Sequence, residues 1–121
     1  MSFYDENNIF ARILRGEVPC QKFYEDDDTL AFHDISPKAP VHLLVIPKGS
    51  YRSSFDFYGQ APDHLITAFH RFLGLVIEKT GLKDTGYRLI SNHGIDGNQE
   101  VPHFHVHVLG GRPLGGILAP R

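Results

Sequence analysis

The sequence predicts a single α+β domain with a mainly antiparallel sheet. Three observations lead to this fold class: several short strand-like stretches, one long amphipathic helix between them, and no regular alternation of strands with helices. The chain of 121 residues is long enough for one hydrophobic core and too short for two comfortable ones. A doubly wound parallel sheet, which needs regular alternation, is therefore disfavoured.

The first half of the chain predicts a short helix followed by three strands. Asn8 can cap a helix whose apolar residues recur at helical spacing, and Gly16 marks its end. Residues 21–25 and 29–34 predict a hairpin, because the three aspartates between them favour a polar turn. Residues 42–46 predict a strand covered on both faces, since their apolar run is almost unbroken before a proline ends it.

The middle of the chain predicts one long helix. Residues 48–61 are mixed and aromatic, and no element is assigned to them. Pro62 suits the first turn of a helix that continues to Gly81. Its buried stripe consists of apolar residues at helical spacing: Leu65, Ile66, Phe69, Phe72, Leu73, Val76 and Ile77.

The last third of the chain predicts two strands joined by a loop. Residues 86–91 and 103–109 read as strands, and the glycines of residues 92–102 allow close approach of the backbone in the loop between them. Residues 112–121 form a Gly/Pro-rich tail without periodicity. The domain therefore spans the whole chain, with residues 1–8 as an N-terminal extension.

Composition excludes several classes of function. The formal net charge is -2 and the basic residues are scattered, so a polymeric nucleic acid is not expected as a partner. No apolar run approaches the roughly 18 residues of a membrane span, and the acidic N-terminus lacks the features of a signal peptide. A cytoplasmic location is therefore expected. Cys20 is the only cysteine, which excludes an intrachain disulfide and a zinc site built on several thiolates.

The most ordered stretch contains three of the eight histidines. His103, His105 and His107 alternate with apolar residues. On a strand they would project from one face, with neighbours roughly 6 to 7 Å apart at the backbone. Such a surface suits one of three roles: a polar strand face, a zinc site of a three-histidine hydrolase, or nucleophilic attack by an imidazole on phosphorus.

The loop before these histidines favours the phosphorus chemistry. It supplies amide side chains and accessible backbone N–H groups that can hold anionic oxygens without a metal, from Asn92, Gly94, Gly97, Asn98 and Gln99. A structural zinc site, by contrast, would want cysteine partners that the sequence does not contain. A catalytic three-histidine zinc site remains an alternative at this point.

Residues 103–109 match the motif His-φ-His-φ-His-φ-φ, where φ is apolar, and the chain therefore resembles the histidine triad superfamily. The surrounding sequence is similar to its Hint branch, the nucleoside phosphoramidate hydrolases. Residues 9–19, 30–42 and 45–48 resemble family segments in the same order, as does Gly110-Gly111-Arg112. The resemblance implies the HIT-like fold: a five-stranded, mainly antiparallel sheet with one long and one short helix, joined to a second sheet across a homodimer.

The resemblance also implies a mechanism without a metal or another cofactor. His105 would be the nucleophile that forms a nucleotidyl-histidine intermediate, which water then hydrolyses. His103 and His107 would flank the phosphate, and His42 would join their hydrogen-bond network. The substrates implied are phosphoramidates of a purine nucleotide, AMP or GMP, cleaved at the P–N bond. A nucleotide-binding interaction module with vestigial hydrolysis would use the same pocket and stays an alternative.

Further residues are assigned to nucleotide binding by the same resemblance. Asp34 would accept hydrogen bonds from both ribose hydroxyls, although it could equally shape the turn before Pro37. The apolar slot for the purine would be formed by Ile9, Phe10, Ile13, Val18, Phe32 and Ile35. The phosphate and leaving group would be addressed by Asn92, Asn98, Gln99 and Glu100, with Val106 also near the nucleotide.

The chain departs from the family at several places. Zinc-bearing members have Cys-x-x-Cys where this chain has residues 8–11, and a later histidine near Ser50, so zinc of that type is not expected here. Glu100 replaces a serine of many animal relatives, which changes the leaving-group side of the site. Pro102 removes one backbone donor next to the triad.

Overall fold

The computed structural model describes residues 3–118 and confirms the α+β class. Its helices are α1 (Ile9–Leu14), α2 (Ser54–Gln60) and α3 (Asp63–Thr80). Its strands are β1 (Lys22–Glu25), β2 (Thr29–His33), β3 (Val41–Pro47), β4 (Tyr87–Ile90) and β5 (Val106–Gly110). The five strands form one antiparallel sheet in the order β1-β2-β3-β5-β4.

Strand β3 lies at the centre of the sheet and divides the core into two clusters. Leu43 and Val45 face the larger cluster, which contains the apolar stripe of α3. Leu44 and Ile46 point the opposite way and pack with Phe10 of α1. The strand is buried from its second residue to its last, which confirms that both faces are covered. Strand side chains alternate between the two faces, so His42 lies on the α1 face of the sheet.

Helix α2 lies in the stretch to which no element was assigned from sequence. Phe57 of this helix is buried and stacks on Phe104, with ring centroids 4.9 Å apart. Phe69 of α3 contacts both rings at 5.0 to 5.2 Å. Phe104 lies between His103 and His105 in the chain. This aromatic cluster therefore holds residues 103–105, the histidine segment, in place from the α3 side of the sheet.

The predicted strand 103–109 is wrong at its start, because β5 begins only at Val106. The backbone N–H of Phe104 donates to the carbonyl of Tyr51 at 2.7 Å, outside the sheet, and that of His103 donates to Val101. Pro102 has no N–H to offer to a strand partner. Only His107 of the triad is therefore a strand residue.

Smaller differences concern the ends of elements. Pro62 is the N-cap of α3 and not part of its first turn, with an extended ψ of 153°. Gly81 ends the helix in the left-handed conformation with φ of 77°, which glycine adopts without strain. Residues 112–118 of the tail form no helix or strand, as expected, and residues 119–121 lie outside the described part. No described helix is long and apolar enough to cross a membrane.

We expect Phe57→Ala to lower the free energy of unfolding by about 3–5 kcal/mol, because it leaves a cavity between α2, α3 and the histidine segment. Phe55→Ala on the same helix is the matched control, since this ring is 74% exposed and its loss should change stability by no more than about 0.5 kcal/mol. Urea denaturation followed by circular dichroism measures both. Equal losses in the two variants would contradict the assigned packing.

Candidate active site

Most of the expected site residues line one open cavity of about 600 Å³ on the α1 face of the sheet. Its walls come from α1, from strands β2 to β5, and from the loops that join β2 to β3 and β4 to β5. The expected residues at its surface are Ile9, Phe10, Ile13, Phe32, Asp34, Ile35, His42, Asn92, Asn98, Glu100, His105 and His107. Val18 lines an adjoining cavity of about 380 Å³ that shares Ile9, Ile13, Phe32, Asp34 and Ile35.

His105 presents a free imidazole nitrogen to this cavity. Its Nδ1 lies 2.7 Å from the carbonyl oxygen of His103. A carbonyl oxygen can only accept, so Nδ1 carries the proton and Nε2 keeps its lone pair. Burial lowers the pKa of His105, with smaller opposing effects from the His103 carbonyl, Asp34 and Glu100. The ring is therefore a neutral imidazole of defined tautomer, with the lone pair of Nε2 on the cavity side.

His42 and His107 form a second pair with the opposite tautomer. The backbone N–H of Lys38 donates to Nδ1 of His42 at 3.0 Å, so a neutral His42 carries its proton on Nε2. That proton points to Nδ1 of His107, 2.9 Å away. His107 must then carry its own proton on Nε2 and is a hydrogen-bond donor. The His105 and His107 rings, 5.0 Å apart, thus offer one lone pair and one N–H.

Burial keeps these histidines neutral. It lowers the pKa of His107 to about 4, helped by repulsion from His105 and His42. The pKa of His42 is also lowered by burial, although Asp34 opposes this effect from 3.4 Å. The hydrogen bonds also require neutral rings, because His42 and His107 each accept a hydrogen bond at Nδ1 and an imidazolium has no acceptor nitrogen.

His103 does not line the cavity, which corrects the expectation that it flanks the phosphate. The side chain is fully buried behind His105. Its Nε2 bonds the carbonyl oxygen of Pro47 at 2.8 Å, and its Nδ1 bonds the Tyr4 hydroxyl at 2.5 Å. Neither ring nitrogen is left for a ligand. Burial lowers the pKa of His103 to about 4, so this ring is also neutral.

Two other expected contacts are also absent from the cavity wall. Gln99 uses its amide N–H groups on the carbonyls of Arg52 and Val101, at 2.6 and 3.0 Å. It therefore holds the loop in place and does not face the phosphate. Val106 is buried in the larger core cluster with Phe104, on the far face of the sheet. Both corrections follow from side-chain direction, which spacing alone did not determine.

Asp34 has one of the two roles that the sequence left open, because it shapes the turn, and its place at the cavity leaves ribose binding a prediction. Its Oδ1 accepts the backbone N–H of Ser36 at 2.8 Å, so it shapes the turn. Its Oδ2 lies near His42 at the cavity, and a carboxylate has lone pairs for further donors. Sequence reasoning missed Lys38, whose backbone sets the His42 tautomer, and Tyr4, which bonds His103. The Tyr4 contact has no local sequence signal, because it joins residues at opposite ends of the chain, whereas Lys38 lies only four residues before His42.

One group in the described part of the chain could hold a metal ion: Asp34, His42 and His107, with donor atoms within 4.8 Å of one another. Metal binding there would have to replace the proton shared by the two imidazoles. At residues 8–11, where the resemblance gives Cys-x-x-Cys to zinc-bearing members of the superfamily, Asn8 instead caps α1 by accepting the N–H of Ala11 at 2.9 Å. An amide and a methyl group do not fit a zinc site.

A family model described as the HIT domain matches residues 15–114. An uncharacterised HIT-like protein of Azospirillum brasilense is 53% identical over 115 residues, which cover 95% of this chain and 94% of that protein. The purine nucleoside phosphoramidase of Escherichia coli is 44% identical over 117 residues, which cover 94% of this chain and 95% of the enzyme.

Solved structures agree with these sequence relatives. A histidine triad protein from Clostridium difficile superposes with a TM-score of 0.83 at 39% identity, and the match covers 96% of this chain and all of the other. A HIT family hydrolase from Legionella pneumophila gives 0.83 at 38% identity, with 90% and 96% covered.

The buried neutral histidines predict acid sensitivity. The pKa of His103 and His107 is about 4 in the folded chain and near 6.5 in an unfolded one. The unfolded state binds more protons between these values, so stability is full above about pH 6.5 and falls as the pH drops towards 4. His103 alone contributes up to about 1.4 kcal/mol per pH unit.

Urea denaturation at a series of pH values between 4.5 and 7.5 measures this slope. His107→Asn removes one of the two groups, and its slope should be shallower than that of the unsubstituted protein. A free energy of unfolding that stays constant across this range would contradict the neutral, buried assignment.

Proposed function

The chain belongs to the HIT domain family, and from that premise we propose that it hydrolyses purine nucleoside phosphoramidates at the P–N bond. One observation carries this proposal: His105 and His107 meet in one cavity with opposite tautomers. The first offers a lone pair to phosphorus and the second offers an N–H to a phosphoryl oxygen. The name of the Escherichia coli relative, a purine nucleoside phosphoramidase, supports the substrate class.

The reaction proceeds in two displacements. Nε2 of His105 attacks phosphorus, the P–N bond breaks, and the leaving nitrogen takes a proton from solvent water to depart as the neutral amine. Water then attacks the nucleotidyl-histidine, which releases the nucleotide and restores the free imidazole. The N–H of His107 stabilises the charge that builds on a phosphoryl oxygen in both steps, because it is held in place before the reaction.

The nucleotide occupies the space along α1 and β2. The base lies against the apolar side chains that the two cavities share, Ile9, Ile13 and Phe32, with Val18 at the far end. Asp34 accepts the ribose hydroxyls at the point where the two cavities join. Glu100 borders the main cavity near His105, so its carboxylate disfavours anionic leaving groups and suits an amine.

A metal-dependent hydrolase is the second candidate, because Asp34, His42 and His107 come close enough to bind one cation. A nucleotide-binding module with vestigial turnover is the third, since the same cavity serves binding alone. Metal dependence distinguishes the metal-dependent hydrolase from the proposed enzyme, and the rate of turnover distinguishes the binding module from it.

His105→Ala should reduce turnover of adenosine 5'-phosphoramidate at least about 10³-fold, since no other side chain replaces the nucleophile. His64→Ala, on α3 and outside the cavity, is the matched control and should keep full activity. The assay measures AMP release with and without EDTA. Loss of activity in EDTA would favour the metal-dependent enzyme. AMP binding without turnover by the unsubstituted protein would favour the binding module.

We also propose that the protein is a homodimer whose sheets join at β4. This strand is an edge of the sheet, and Tyr87 and Leu89 on it are 45% and 42% exposed. An unpaired edge with apolar side chains is suited to pairing with a second chain.

Sedimentation at micromolar concentration should give twice the chain mass of 13.6 kDa. Leu89→Lys should shift the equilibrium towards monomer, because it places a charge in the interface between the two β4 strands. Leu75→Lys is the control at similar exposure on α3 and should leave the dimer intact. A monomer in the unsubstituted protein would reject the homodimer.

A further inference from the structure

We propose that Tyr4 is a positioning residue for the nucleophile: its hydroxyl fixes the ring of His103, and the carbonyl oxygen of His103 fixes the tautomer of His105. This inference rests on the proposed role of His105. It gives a function to the N-terminal extension, whose sequence carries no motif.

The hydrogen bonds of His103 allow only one arrangement of protons. The carbonyl of Pro47 can only accept, so the Nε2 of His103 carries the proton at that contact, 2.8 Å long. The Nδ1 of a neutral ring is then an acceptor, and the Tyr4 hydroxyl must be the donor at 2.5 Å. The rings of Tyr4 and His103 also meet edge to face, with centroids 5.6 Å apart.

The segment of His103 needs this support because it lies outside the sheet. Residues 103–105 precede β5, so no strand partner holds the His103 carbonyl in place. Two backbone bonds restrain the segment, from His103 to Val101 and from Phe104 to Tyr51. The ring contacts with Tyr4 and Pro47 are the restraints on the side of His103 that faces away from Phe104. The carbonyl then meets Nδ1–H of His105 at 2.7 Å.

Tyr4 is itself held by a structured turn. Asn8 donates its backbone and side-chain N–H groups to the carbonyl of Asp5, at 3.1 and 2.7 Å, and also caps α1. Arg15 donates to the carbonyl of Glu6 at 2.7 Å. Burial raises the pKa of Tyr4, so its hydroxyl keeps the proton that it donates. The extension is therefore anchored to the same helix whose Phe10 contacts the His105 ring.

Tyr4→Phe tests the proposal because it removes one hydroxyl and keeps the ring. Without that donor, Nδ1 of His103 is unsatisfied, and the His103 ring and carbonyl are less well fixed. We expect kcat for adenosine 5'-phosphoramidate to fall roughly 10-fold or more, with the affinity for AMP within about twofold, because only the orientation of the nucleophile changes. Phe3→Ala is the control, since this neighbouring side chain is 80% exposed and makes no such contact.

Nitrogen-15 NMR of the imidazoles gives a readout that a merely structural role would not change. In the unsubstituted protein we expect His103 as the Nε2–H tautomer and His105 as the Nδ1–H tautomer, and in Tyr4→Phe a mixture at His105. A variant with lower thermal stability but unchanged kcat and unchanged tautomers would overturn the proposal. So would the opposite tautomers in the unsubstituted protein, a result that does not require the variant to fold.

The two hypotheses fail separately. If the unsubstituted protein does not turn over the phosphoramidate, the proposed function is rejected, and the tautomers alone then decide the role of Tyr4. If the unsubstituted protein is active and Tyr4→Phe matches it in kcat and spectra, the role of Tyr4 is rejected and the function stands.

Discussion

The hydrogen bond from Nδ1–H of His105 to the His103 carbonyl is the interaction on which the site depends. It decides which nitrogen of His105 has a lone pair, and it does so without a charged partner. A carboxylate at this place would raise the pKa of the ring and favour the protonated, non-nucleophilic form. A backbone carbonyl orients the ring while burial keeps it neutral.

The rest of the fold positions that bond from two sides. From one side, Phe104 packs against both Phe57 and Phe69, which fixes the direction of the chain before and after it. From the other, β3 carries His42 opposite Leu109, and Leu44 opposite His107, which brings the second imidazole pair onto the cavity face. The buried central strand β3 therefore places the His42–His107 pair beside His105. The aromatic cluster and the cavity lie on opposite faces of the sheet.

The sequence predicted the fold class, the helices around Asn8 and Pro62, and the buried central strand, because these depend on local spacing and capping. It missed α2, since the packing of Phe57 is set by Phe69 and Phe104, which are distant in the chain. The alternation of histidines with apolar residues correctly predicted that Phe104 and His105 point to opposite sides. It wrongly predicted that His103 lies at the cavity. The backbone bends away from the sheet before Val106, and Tyr4 and Pro47 take up the His103 ring.

The resemblance to the histidine triad superfamily supplied what spacing could not, namely the unequal roles of the three imidazoles. The structure divides the three rings differently: His105 has a lone pair at the cavity, His107 has an N–H there, and His103 is enclosed and does not flank the phosphate. It also shows why Gln99 differs from Asn98 next to it, since the Gln99 amide is occupied by two carbonyls of the protein.

The proposed mechanism requires a covalent bond between His105 and the nucleotide. Rapid mixing of the protein with adenosine 5'-phosphoramidate, alkaline quenching and peptide mass mapping test it most directly. We expect a mass increase of one AMP group on His105, which forms and decays at the rate of a single turnover. Attachment to another residue, or AMP release in one turnover with no labelled peptide at any time, would contradict it.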